Sequence, residues 1–255
     1  MSSLGRIRSE RGVCVGTKRC REPLRASRVS VLGRGASGDI WSVNVKGKLY
    51  ALKRVLPNEE AALEELGSIS GVVPWAWCAT GCGGRCACSS APPSKPCPQR
   101  VRYVAMPVLK DLQSAQGASL ELRKRWAEQL SEALAAVHRR GYLHRDISPG
   151  NVLITSNMET AFLSDFGRCV LPRDRATTGT SFVGTEHFAS REALSERRRP
   201  CEEDDWHALV YTVYWTDAQH KRWQTKAIHH RIDVHGAARH DPAARVVVQH
   251  MNRAV

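Results

Sequence analysis

The sequence predicts an α+β chain of two lobes, a strand-rich N-lobe followed by a helical, shortened C-lobe. Three observations carry that reading. Alternating apolar and polar residues flank a glycine-rich turn at residues 33–38, which is the pattern of a strand hairpin. Leu122, Trp126, Leu130, Leu134 and Val137 recur at helical spacing and the run stops at Gly141, as an amphipathic helix does. Beyond it, HRDISPGNVLI (144–154) and SDFG (164–167) set two aspartates and an asparagine on loops beside short apolar segments.

The elements follow in order. Residues 1–27 carry Arg6, Arg8, Arg11, Lys18, Arg19, Arg21 and Arg25 with little periodicity and read as a loosely attached basic arm. RVSVLGRG (28–35), DIWSVNV (39–45) and KLYALKRV (48–55) give three strands joined by tight turns. Asn58 is placed as the N-cap of a helix over EEAALEEL, with Leu63 and Leu66 on one face. VVPWAW (72–77) suits a short strand, and 78–100 is a Gly-, Ser-, Pro- and Cys-rich loop insertion. VRYVAMPVL (101–109) restores a strand and completes the N-lobe at 28–109.

The C-lobe is expected at 110–216. It holds the helix over SLELRKRWAEQLSEALAAVHRRG (119–141), strands VLI (152–154) and TAFLSDFG (160–167), a polar loop, and a helix at WHALVYTVYW (206–215). Residues 217–255 are rich in His and Arg, weakly patterned, and read as a basic tail.

Composition narrows the classes. A 42% hydrophobic content supports a packed core, and a formal charge of +13 suits acidic peptides or nucleic acid as partners of the basic arm. No apolar leader precedes the nine cysteines, so they do not read as a secreted disulfide framework. No apolar run approaches the roughly 20 residues that span a bilayer, and Ser2 removes the myristoylation signal. An intracellular protein, cytoplasmic or nuclear and without a membrane partner, is expected. Cys78, Cys82, Cys86, Cys88 and Cys97 are spaced unlike the paired knuckles of structural zinc sites. Oligomeric state is left open.

The motifs together resemble the protein kinase superfamily. Gly33-Arg34-Gly35-Ala36-Ser37-Gly38 lies between two strands, not ahead of a helix as a dinucleotide motif would. Such a turn lets backbone N–H groups approach phosphate. The resemblance implies ATP and Mg2+ as cofactors. It implies that Lys53 pairs the α and β phosphates, that Asp146 orients the acceptor hydroxyl, and that Asn151 and Asp165 hold the metal. It also implies a helix glutamate that pairs with Lys53. Glu59, Glu60, Glu64 and Glu65 are the candidates; the register of Leu63 favours Glu60, and Glu59 fits almost as well. Met106 takes the gatekeeper place, and Val108 and Leu109 offer backbone groups to adenine.

Further motifs separate protein kinases from the aminoglycoside and choline kinases, which share a similar H-x-D-x-x-P-x-N loop. Gly184 to Glu192 reads GTEHFASRE, similar to the peptide-docking segment of protein kinases, with Arg191 where proline is usual. By that resemblance Thr185 contacts Asp146, Phe188 walls a substrate pocket, and Asp204 of the D-x-W motif accepts backbone N–H bonds from the catalytic loop. His144 packs beneath the DFG segment. Arg145 is placed to meet a phosphate on Thr177, Thr178, Thr180 or Ser181. GT..FAS resembles casein kinase one. Ser148 stands where serine/threonine kinases usually carry the lysine that faces the γ-phosphate, as in the herpesvirus protein kinases and some fungal families. Arg222, Arg231 and Arg239 are the candidate partners of Glu192.

The expected function is transfer of the γ-phosphate of ATP to Ser or Thr of protein substrates; the loop lacks the A-A-R-N or R-A-A-N form of tyrosine kinases. Two alternatives stand beside it. One is a pseudokinase or scaffold that binds nucleotide or a partner without turnover. The other is a nucleic-acid-binding protein acting through the basic arm.

Overall fold

The computed structural model describes residues 14–15, 27–35, 38–45, 47–73, 77–82, 100–115, 117–216 and 232–254. Nearly all of the basic arm lies outside them, as do Ala36, Ser37, Cys86, Cys88, Cys97, Arg222 and Arg231. The chain forms two compact units, 1–60 with 74–108, and 61–73 with 109–255.

The first unit is one antiparallel sheet of six strands: β1 (Cys14–Val15), β2 (Ser27–Gly35), β3 (Gly38–Val45), β4 (Lys48–Arg54), β5 (Trp77–Cys82) and β6 (Arg100–Pro107). The strands lie in the order β1-β5-β6-β4-β3-β2. β2 and β3 close through the pair Gly35 with Gly38, and β3 and β4 through Val45 with Lys48. The loop insertion was expected to begin at 78. Instead WCATGC (77–82) is a strand that pairs along its full length with β6, from Trp77 opposite Ala105 to Cys82 opposite Arg100. A ladder is made by backbone groups, so a segment of weak strand composition joins when its partner presents an edge. Of the expected strand VVPWAW, Pro74, Trp75 and Ala76 lie outside the described residues, Trp77 opens β5, and Val72 makes an isolated bridge with Leu163.

Helix α1 (Pro57–Leu66) follows β4 and has Glu59 and Glu60 in its first turn, where they complement the helix dipole. The second unit is built on α2 (Leu120–Arg139), capped by the Ser119 hydroxyl accepting from Leu122 N. Trp126, Leu130, Leu134 and Val137 are fully buried along its apolar stripe, each side chain contributing about 1.5–3 kcal/mol by burial. Trp126 Nε1 donates to Met158 O at 2.8 Å. Beside α2 lies a small antiparallel sheet of β7 (Lys110–Asp111), β8 (Val152–Ile154) and β9 (Ala161–Leu163). Helices α3 (Arg191–Leu194) and α4 (Glu202–Trp215) follow.

Of the segment expected as a weakly patterned tail, the described residues 232–254 form α5 (Val234–His240) and α6 (Pro242–Ala254), and α6 packs on α2, α4 and α5. Ala243, Ala244, Val247, Val248 and Met251 form its buried stripe. The join is electrostatic as well as apolar. The Arg123 guanidinium of α2 pairs with the fully buried Asp241 carboxylate, and Arg123 Nε donates to Thr216 Oγ1 at 3.1 Å. Asp241 Oδ1 also accepts from Ala243 N at 3.0 Å, starting α6. Among the described residues no helix is long and apolar enough to cross a membrane, and no three His, Cys, Asp or Glu side chains cluster as metal ligands.

Candidate active site

Lys53 is a buried residue of β4, opposite Val104 of β6. Its Nζ donates to Glu59 Oε1 at 2.6 Å. The glutamate favoured from sequence was Glu60; the helix phase brings the preceding residue to the lysine, while Glu60 is also buried in the same turn. The two candidates lie about 100° apart around the helix, so a start displaced by one residue exchanges them. A pair this enclosed holds the ammonium in place, because an isolated buried charge is costly. On the same sheet Met106 is buried opposite Ala51, Gly33 pairs with Ile40, and Arg34 pairs with Asp39 through its backbone. Val108 is exposed after β6. Leu109, half-buried, belongs to the second unit.

The catalytic loop belongs to the second unit and is fastened from beneath. Asp205 Oδ2 accepts from His144 N at 2.7 Å and Oδ1 from Arg145 N at 2.8 Å, while His138 Nε2 lies 3.0 Å from Oδ2. These bonds hold Arg145 in the left-handed region, φ 67°, which a non-glycine residue adopts only under constraint. The sequence assigned this anchoring to Asp204. In the first turn of α4 Asp204 points the other way: it accepts Ser190 Oγ at 2.6 Å, both terminal nitrogens of Arg198 at 2.8 Å, and Cys201 N at 3.0 Å. Of two adjacent carboxylates, one caps the helix and the other enters the core.

Burial by itself would raise the Asp205 carboxyl, but the hydrogen bond and charge of His138 and the backbone N–H of His144 outweigh it and hold the group below its ordinary value. A carboxyl depressed on folding contributes stability above its unfolded value, about pH 4, and that contribution is lost as pH falls through the lower folded value. Asp205→Asn is therefore expected to flatten the fall of unfolding free energy below about pH 4, measured by denaturant titration at a series of acid pH values.

His144 packs under Phe166, ring centroids 4.7 Å apart, as expected. Its Nε2 lies 3.0 Å from the Ser164 carbonyl and its Nδ1 accepts from Asp146 N at 3.3 Å, which puts the proton on Nε2. Asn151 Nδ2 donates to Asp146 O at 2.8 Å, which orients its side-chain carbonyl. Asp165, at φ 61°, accepts from Gly167 N at 3.3 Å. A carboxylate and an amide oxygen are hard donors that fit magnesium, so Asp165 and Asn151 suit the role the sequence assigned.

Thr185 Oγ1 donates to Asp146 Oδ1 at 2.7 Å, as expected. Gly184 makes this approach possible: at φ 134°, a Cβ there would lie 2.3 Å from Arg145 O. Asp146 and Thr185 stand at the edge of a pocket whose apolar walls include Ile147, Val183, Phe188, Ala193 and Pro200. Arg145 donates to Ser181 O at 3.1 Å. Thr180 and Ser181 are exposed. Among the described residues Glu192 makes no ion pair, and Arg239 is exposed on α5.

The family described as "Protein kinase domain" matches residues 101–247, more than half of the chain. Among curated proteins, Mitogen-activated protein kinase kinase 8 of Arabidopsis thaliana is 30% identical over 181 residues, 70% of this chain and 55% of its own length. Rho-associated protein kinase let-502 of Caenorhabditis briggsae is 35% identical over 104 residues, 38% of this chain and 9% of its own. Serine/threonine-protein kinase PKH1 of Saccharomyces cerevisiae is 33% identical over 94 residues, 32% of this chain and 12% of its own. The chain thus spans between 9% and 55% of the length of these relatives.

Proposed function

Because the chain belongs to the protein kinase domain family, we propose that it transfers the γ-phosphate of ATP to serine or threonine hydroxyls of protein substrates. The observation that carries this is the Asp146 carboxylate, oriented by the Thr185 hydroxyl at 2.7 Å on the edge of an apolar-walled pocket. A carboxylate so placed accepts the proton of an acceptor hydroxyl, and the pocket takes a side chain of the same polypeptide. Lys53, fixed by Glu59, supplies a positive charge for phosphate oxygens. Asn151 and Asp165 would hold magnesium, which when bound neutralises charge on the β and γ phosphates. Phosphoryl transfer needs few side chains beyond these, since positioning and electrostatics provide most of the catalysis.

The preference for Ser and Thr rests on the form of the loop after Asp146 and on the serine/threonine kinase among the relatives. Incubation with γ-labelled ATP, magnesium and casein, followed by acid hydrolysis, is expected to give labelled phosphoserine or phosphothreonine, and none when EDTA removes the metal. Label on tyrosine alone contradicts the acceptor choice; no label at all contradicts the activity.

A further inference from the structure

The segment that brings Thr185 to Asp146 is gripped at one peptide unit by two side chains of opposite charge. The Ser181 carbonyl oxygen accepts from Arg145 Nη2 at 3.1 Å, and the N–H of the same amide, on Phe182, donates to Glu196 Oε1 at 2.8 Å. In a trans peptide these two groups point in opposite directions, so the guanidinium and the carboxylate hold one plane from its two edges. A cation at the oxygen and an anion at the N–H polarise the amide in the same sense, and each bond strengthens the other. Arg145 is itself fixed to the core through its backbone N–H on Asp205 Oδ1. Glu196 stands just past α3, where its own N–H donates to Ala193 O at 3.3 Å. Its φ of 53° is left-handed, a conformation that the residue after a helix usually meets with glycine. What glutamate adds there over glycine is the carboxylate.

Only Val183 and Gly184 separate the gripped amide from Thr185. Val183 is half-buried, whereas Gly184, at φ 134°, is free of the steric limits that a side chain imposes. With that freedom so close, the 2.7 Å bond from Thr185 Oγ1 to Asp146 Oδ1 depends on the chain before the glycine being held. We propose that Glu196 is a positioning residue for phosphoryl transfer. By holding Phe182 N opposite the grip of Arg145 on Ser181 O, it fixes the segment that carries Thr185 to the Asp146 carboxylate. Glu196 stands apart from Lys53, Asp146, Asn151 and Asp165 and acts on the reaction only through Thr185. This role rests on the kinase reading above and adds to it a residue that none of the sequence motifs contains.

The test uses the full chain and its Glu196→Gly and Glu196→Gln variants. Glycine suits the left-handed backbone and removes the carboxylate, so a role in folding alone predicts a variant at least as stable and as active as wild type. The positioning role predicts that Glu196→Gly keeps its melting temperature while kcat/KM for casein falls about tenfold, the worth of one hydrogen bond to a charged group, and KM for ATP moves less than twofold. Amide hydrogen exchange at Phe182, followed by mass spectrometry of the peptide that contains it, should quicken by about the same factor. Glu196→Gln, whose amide oxygen can still accept, should recover most of both losses. Unchanged exchange in Glu196→Gly overturns the clamp, and faster exchange with undiminished transfer overturns its positioning role. A melting temperature that falls together with activity in Glu196→Gly makes the carboxylate a stabilising contact and also overturns that role. Wild type that transfers no phosphate, while exchange still separates it from Glu196→Gly, removes the kinase reading and keeps the clamp.

Discussion

Asp146→Asn is expected to lower kcat for phosphate transfer to protein by about 100- to 10,000-fold, the usual contribution of a positioned general base. The amide keeps the shape of the carboxylate and can still accept from the Thr185 hydroxyl, which in the native chain donates to Asp146 Oδ1 at 2.7 Å. The bonds that shape the loop do not involve the Asp146 side chain at all: Asp205 holds His144 N and Arg145 N, and Asn151 Nδ2 holds the Asp146 carbonyl. Only proton acceptance is lost. Folding and nucleotide affinity should accordingly stay near wild type, and the loss should fall in kcat and not in KM for ATP. Steady-state kinetics with casein and a thermal melt of the same preparation check both halves of this expectation.

Arg123→Ala is expected to destabilise the second unit by about 3–5 kcal/mol, the cost of leaving a buried carboxylate without its cation. Asp241 is fully buried, caps the start of α6 through Ala243 N, and pairs with Arg123 of α2, which also donates to Thr216 Oγ1. The substitution removes the guanidinium from Asp241 and Thr216 at once, so α6 keeps its packing on α2 but loses this buried ion pair. For a unit of this size the melting temperature should fall by about 10 °C. Asp241→Asn keeps the cap and removes the charge, and should cost less. The double variant should be less destabilised than the two single losses added together, because the partners act as one unit. Chemical denaturation of the four proteins measures the coupling.

Much of the site was legible because its residues are spaced by the chemistry. Asp146, Asn151 and Asp165 sit in contiguous motifs, and the Thr185 contact follows once GTEHFASRE is read beside them. Choices between neighbours were not legible. Glu59 and Glu60 differ only in helix phase, and Asp204 and Asp205 are adjacent acidic residues in the first turn of α4; nothing local says which one turns inward. Tertiary contacts decide both cases. The last two helices were hidden by composition: the stripe of Ala244, Val247, Val248 and Met251 has the right period, but the surrounding His and Arg lower the mean hydropathy, and Asp241 shows its value only against Arg123 from 118 residues earlier. Strand β5 was hidden for a related reason, since backbone pairing with β6 overrides Cys and Gly content.

Under the proposed function, Lys53, held by Glu59, and Asp146 are each required for phosphoryl transfer. Transfer of labelled γ-phosphate from ATP to casein by wild type, Lys53→Met and Asp146→Asn tests it most directly. A magnesium-dependent signal is expected from wild type and should fall at least a hundredfold in each variant, roughly the lower bound for losing a positioned catalytic group. Equal signal from all three proteins, or none from wild type while it still binds nucleotide, would contradict it.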